Sequence, residues 1–177
     1  MPKQTIVSVD IQPAYKDSIK FDMFQYCKYI TRVSRTNKTI VFYNSFIDKE
    51  DEDSLFEWLF SYGLSPNVLG RIDFVGKDYG FVRNLCDNYH DLETVSVLRY
   101  MIENNIDDSR KIQDESLRKD YDIYDDPVWI PNVVIETIQD IDNILFLGGG
   151  KNECLKEIEL IALALNKKFK FHDKFVY

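Results

Sequence analysis

Histidine is almost absent from the chain. His90 and His172 are the only two in 177 residues, neither stands at a metal-ligand spacing, and no Ser/His/Asp order stands out. A zinc centre and a serine-type triad therefore have no foundation. Cysteine is scarce as well: Cys27, Cys86 and Cys154 form an odd set with no Cys-x-x-Cys pair. That excludes a disulfide framework and argues against structural zinc. Seven glycines and five prolines leave no Gly/Ser- or Pro-rich linker, and no internal repeat is visible. No apolar run approaches the length of a membrane span, and no charged n-region leads into an apolar h-region. The expectation is a cytoplasmic protein with no membrane partner. Cations are in the minority: 22 Lys and Arg face 30 Asp and Glu, giving a formal net charge of -8. Such a surface repels phosphate, so no nucleic-acid partner is expected either.

What is present suits one α/β domain spanning 1–177. Hydrophobic residues reach 45% and aromatics 14%, enough to build a core. Thr5–Asp10 (TIVSVD), Thr39–Asn44 (TIVFYN), Arg71–Val75 (RIDFV), Ile144–Leu147 (ILFL) and Lys168–Tyr177 (KFKFHDKFVY) read as strands. Between them, Asp22–Ser34, Asp53–Tyr62, Thr94–Asn105 and Asn152–Asn166 carry helical periodicity, with Asp22 placed to cap the first. Pro131 stands at a helix start before NVVIETIQDI. Residues 88–126 read as an inserted helical and loop segment, polar from Ile106 onward, with the acidic pairs Asp107-Asp108 and Asp125-Asp126. Alternating strands and helices predict a three-layer α/β/α fold around a mainly parallel sheet. Ligands of such sheets sit beyond the carboxyl ends of the strands, where strand order reverses. Asp10, Asn44, Lys77 and the loop from Gly148 to Cys154 all fall at that edge.

The strongest local signal is LGGGKNECLKEIEL, in which a strand ends, Gly148, Gly149 and Gly150 turn the chain, and a helix opens near Cys154. Glycine lets backbone N–H groups approach a ligand, and a helix N-terminus adds partial positive charge. A cysteine there is expected to have its pKa lowered toward the thiolate, helped by Lys151 and opposed by Glu153. The GGGK run lacks the spacing of a P-loop.

Together, three segments make the chain similar to the isochorismatase-like cysteine hydrolases. Asp10-Ile11-Gln12 resembles the family's D-x-Q at the end of the first strand. Phe74-Val75-Gly76-Lys77-Asp78-Tyr79-Gly80-Phe81 resembles its lysine segment, and Gly148–Cys154 its cysteine segment. The resemblance implies an isochorismatase-like, Rossmann-like fold and hydrolysis of a small amide, imide or ester-like molecule. Cys154 would be the nucleophile, Asp10 its general base, and Lys77 the cation that favours the charged pair. It further implies substrate contacts from Gln12, Asn44, Tyr79, Gly149, Gly150 and Lys151, no cofactor, and a homodimer. The chain departs from the pattern where Lys151 replaces the usual Thr of the turn. It departs again where Lys156, Glu157 and Ile158 follow the cysteine, and in the long separation between Lys77 and Cys154.

Without the resemblance, Cys154 is equally a small apolar residue under its helix, Asp10 a turn cap and Lys77 a solvated lysine. Two other functions stay open. One is a non-catalytic acidic module that binds or inhibits a protein partner on the same fold. The other is a PIN- or NYN-like metal-dependent nuclease built around Asp10, which needs several convergent carboxylates.

Overall fold

The computed structural model describes residues 4–45, 51–77, 91–120, 129–130 and 132–177, with the backbone alone at 91–93 and 119–120. Five strands run through it: β1 (Thr5–Val9), β2 (Thr39–Asn44), β3 (Ile72–Lys77), β4 (Asn143–Gly148) and β5 (Lys168–Phe171). All neighbours pair in parallel, in the order β3-β2-β1-β4-β5. Parallel strands are covered on both faces and read as continuous apolar runs rather than alternating ones. β4, fully buried from Ile144 to Gly148, is the clearest case.

Two helices, α1 (Met23–Val33) and α2 (Glu52–Ser61), lie on one face. Met23, Tyr26, Cys27 and Ile30 of α1 and Leu55 and Leu59 of α2 pack there against Ile6, Val41, Leu145 and Leu147. The opposite face carries α3 (Asp91–Glu103), α5 (Asn132–Ile138) and α6 (Cys154–Ala164), with a short α4 (Glu115–Asp120) between. Val97, Leu98 and Met101 of α3 meet Val7, Val9, Phe42 and Phe146 together with Leu155, Ile158 and Ile161 of α6. The expected three-layer α/β/α fold with a parallel sheet is what forms. Within the segment read as an insertion, residues 91–103 form α3 of the second helical layer. Ile112, beyond it, is also buried in that core.

Local chemistry explains the boundaries. Asp22 accepts from the N–H groups of Phe24 and Gln25 at 2.8 and 3.2 Å, and Asp51 accepts from Ser54 N–H at 2.9 Å. Both satisfy donors that a helix start leaves open. Arg99 of α3 donates to the Ala164 carbonyl and the Asn166 side chain, closing the carboxyl end of α6. Pro131, beside the start of α5, lies outside the described residues.

The last strand is shorter than its sequence suggests. β5 stays in register with β4 only to Phe171, opposite Phe146. The chain then turns at Asp173 and Lys174, and residues 172–177 cross back to the glycine turn. Gly148 N–H donates to the Phe175 carbonyl at 2.5 Å, Lys151 N–H to the Tyr177 carbonyl at 2.6 Å, and Tyr177 N–H to the Gly149 carbonyl at 3.2 Å. Phe175, buried among Phe21, Tyr26, Tyr29 and His172, anchors the crossing. Apolar packing onto α1 has overridden a pattern that would otherwise extend the strand.

The α1 face holds two deprotonation-resistant groups. Burial pushes the Cys27 thiol from its ordinary 9.0 up to about 12. Burial also raises the Tyr26 phenol, which sits 2.6 Å from the Ser8 hydroxyl. Both folded values lie above the unfolded ones, so their contribution to stability is complete below the unfolded values and lost as pH rises through the folded ones. The melting temperature is expected to hold through neutral pH and fall from about pH 9 upward. A melting temperature that is flat to about pH 11 in a thermal scan would show that these groups do not report on folding.

Candidate active site

The reversal of strand order lies at β1. From there the chain builds outward to β2 and β3, then returns to place β4 on the other side. The carboxyl ends of β1 and β4 therefore flank the crevice where open α/β sheets hold ligands. Asp10 follows β1 directly, with φ 49°, in the left-handed region that non-glycine residues rarely adopt. Its N–H still donates to the Phe42 carbonyl, continuing the sheet for one more bond at 2.9 Å. This backbone reversal takes the side chain off the strand's alternation and into the crevice, where Asp10 is completely buried.

Lys77 closes β3, two strands away and in register with Asn44. Two inter-strand steps span roughly 10 Å, a distance that a lysine stem and an aspartate can bridge from both sides. The Lys77 ammonium reaches across the end of β2 to 3.0 Å from the Asp10 carboxylate, with both side chains at most 1% exposed. Burial pulls the Lys77 pKa down, but the charges of Asp10 and then Glu157 outweigh it, and the net direction is upward. Lys77 is therefore a buried, charged ammonium.

From β4, the chain turns through Gly148 and Gly149, with φ of 69° and 59°. A Cβ at Gly148 would stand 2.6 Å from the Val9 carbonyl and from Ile11, so only glycine fits there. The turn delivers Cys154 as the first residue of α6. Its thiol lies close enough to Asp10, Lys77 and Glu157 to feel all three charges.

The expected lowering of the thiol pKa is not found. Burial first, then the charge of Asp10, raise it above the ordinary 9.0, and Lys77 offsets only part. A helix N-terminus and a lysine favour the thiolate, yet an adjacent carboxylate in a dry setting outweighs them. The resting group is a thiol beside a carboxylate.

Gln12 and Asn44 frame the site rather than face a ligand with every polar atom. Gln12 accepts from the Asn44 N–H at 2.7 Å and donates to the Asn44 carbonyl at 3.2 Å, clamping the loop after β1 to the end of β2. Both residues are fully buried. Asn44 Nδ2 donates toward the Tyr15 hydroxyl at 3.4 Å. Gly150 and Lys151 line a cavity of about 410 Å³ beside the turn, together with Tyr177 and Asp17. The Lys151 ammonium lies over the Phe171 ring at 5.4 Å. Tyr79 lies outside the described residues.

Two residues join the cluster that the family pattern did not name. Glu157, one turn after Cys154, is 4% exposed and brings a carboxylate oxygen to 4.0 Å from Lys77. Its signal was present in the sequence, since an acid three residues after Cys154 shares that residue's face of the helix. Tyr177 had no such signal. Its phenol is raised by burial and then by the charges of Cys154 and Asp10, which places it at the site through the long-range crossing of the tail.

No family model, curated protein or solved structure matches the chain. The acids read as possible metal ligands have other partners: Asp107 pairs with Lys111, and Asp108 with Arg110. The Arg110 guanidinium holds the Asp108 carboxyl at about 2. Asp125 and Asp126 lie outside the described residues. Among the described residues, no group of three His, Cys, Asp or Glu converges as a metal site. At Asp10 the neighbouring cation is the Lys77 ammonium. No helix among them is long and apolar enough to cross a membrane.

Proposed function

We propose that the protein is an isochorismatase-like cysteine hydrolase acting on a small amide, imide or ester-like substrate. The observation that carries this reading is the meeting of buried Asp10 and Lys77 with half-buried Cys154, from three distant parts of the chain, in one cluster at the strand-order reversal.

In this reading Asp10 takes the thiol proton as Cys154 Sγ attacks the substrate carbonyl carbon. The C–O π electrons move to the carbonyl oxygen. Among the described residues, no backbone carbonyl accepts from the N–H groups of Gly150, Asn152 or Cys154, which leaves donors for that oxyanion in the turn. Collapse breaks the bond to the leaving nitrogen or oxygen, which departs with the proton from Asp10. Water, deprotonated by Asp10, then attacks the thioester, and the sulfur leaves with that proton to restore the thiol. Lys77 balances the Asp10 charge throughout.

A generic probe tests this. Incubation with p-nitrophenyl acetate is expected to place one acetyl group on Cys154, seen by intact mass and peptide mapping. The adduct should persist in Asp10→Asn, which lacks the base for deacylation, and be absent in Cys154→Ala. Acetylation that ignores Cys154 would count against the hydrolase. It would favour a binding module on the same fold, a reading supported by the hold that the Phe175 and Tyr177 carbonyls have on the turn.

A further inference from the structure

A second cavity, of about 870 Å³, lies between α1 and the crossing tail, away from the Asp10 cluster. Its volume is in the range of small-molecule sites. Lys28, Arg32 and Arg35 stand along one wall at i, i+4 and i+7, and Lys174 faces them from the tail. Among the described residues, no carboxylate lies within ion-pair distance of any of the four. In a chain where acids outnumber bases 30 to 22, four unneutralised cations around one concavity are a local reversal of charge. The one acid in the lining, Asp22, is spent on the amino end of α1. Asp173 is the acid next to His172 on the tail.

Cations near a helix's carboxyl end are favoured by its dipole, which accounts for Arg32 and Arg35. It does not account for Lys28 in mid-helix or for Lys174 on another element. The floor between the charges is aromatic: Tyr29 meets His172 edge-on at 4.7 Å, and His172 stacks on Phe175 at 4.7 Å. Lys28 and Arg32 stand about 6 Å apart along α1 and Arg35 follows in the turn after Val33, a spread suited to a chain of phosphates rather than to one carboxylate. Guanidinium groups pair with phosphate oxygens in bidentate fashion, and flat rings stack on exposed aromatic faces.

We infer that this cleft binds a small phosphorylated aromatic molecule of nucleotide type, its ring against Tyr29 and His172 and its phosphates on Lys28, Arg32, Arg35 and Lys174. This site is independent of the hydrolase reading.

Isothermal titration with ADP, adenosine and inorganic phosphate separates the two halves of the claim. ADP is expected to bind, at least about tenfold more tightly than either fragment, and to weaken as salt is raised. The double variant Arg32→Gln, Arg35→Gln is expected to weaken ADP at least about tenfold while keeping its melting temperature, since both side chains are exposed. No ADP binding at about 1 mM, or ADP binding unchanged in the double variant, would overturn the inference. So would a single-stranded oligonucleotide that binds more tightly than ADP, since the cleft would then be part of a nucleic-acid surface.

Discussion

Lys77→Met is expected to lower the unfolding free energy by about 3–5 kcal/mol, because it strands buried carboxylates without their cation. The size follows from burial. Lys77 is 1% exposed, Asp10 is completely enclosed, and Glu157 lies 4.0 Å away in the same pocket. Methionine keeps most of the stem's packing, so the loss reports the charge rather than a cavity. Adding Asp10→Asn should recover part of the loss, since the second change removes a stranded charge. A double variant more stable than the single lysine variant is the signature of a coupled pair. Urea denaturation with an unchanged slope would measure it. Two substitutions that add as independent losses would mean that the lysine and the aspartate do not depend on one another, and the site would lose its central pair.

Much of this arrangement could be read in advance, for identifiable reasons. TIVSVD and TIVFYN each end an apolar run on a polar residue, and in a parallel sheet that places Asp10 and Asn44 at one edge. Gly148 and Cys154 were legible because a turn with positive φ demands glycine and a helix must begin somewhere after it. The misreadings share another origin. KFKFHDKFVY continues a strand pattern, but Phe175 finds Phe21, Tyr26 and Tyr29 of α1, and the chain bends to reach them. The place of Val97, Leu98 and Met101 in the core was not legible locally, because α6, against which they pack, lies far along the chain. Glu157 read as a departure from a family pattern, and only the neighbouring Lys77 makes it part of the site. The direction of the Cys154 shift was missed for a similar reason. Helix position and nearby lysines are local features, whereas burial and contact with Asp10 are tertiary.

That reversed direction makes the sharpest test. In the wild type, Cys154 is expected to react slowly with iodoacetamide at pH 7, and its rate to keep rising beyond pH 9, because the thiolate is the reactive form and burial and Asp10 both favour the thiol. Asp10→Asn removes the negative charge and leaves Lys77 facing the sulfur, so the thiol pKa falls. Alkylation at pH 7 should then rise by at least about tenfold, since each pKa unit changes the thiolate fraction tenfold in this range. Lys77→Met should act oppositely and slow the reaction further, since Lys77 is the group that favours the thiolate. The same Asp10→Asn variant should retain the acetyl adduct, so it combines a more nucleophilic sulfur with a blocked turnover. Peptide mapping of Cys154 against Cys27, whose buried thiol should stay inert in every variant, supplies the internal control. Equal labelling of Cys154 across wild type, Asp10→Asn and Lys77→Met would mean that neither charge acts on the sulfur, and the cysteine would be a packed residue at the start of α6. Acceleration in one variant and slowing in the other is an outcome that packing alone does not produce, because it requires opposite charges to bear on one thiol.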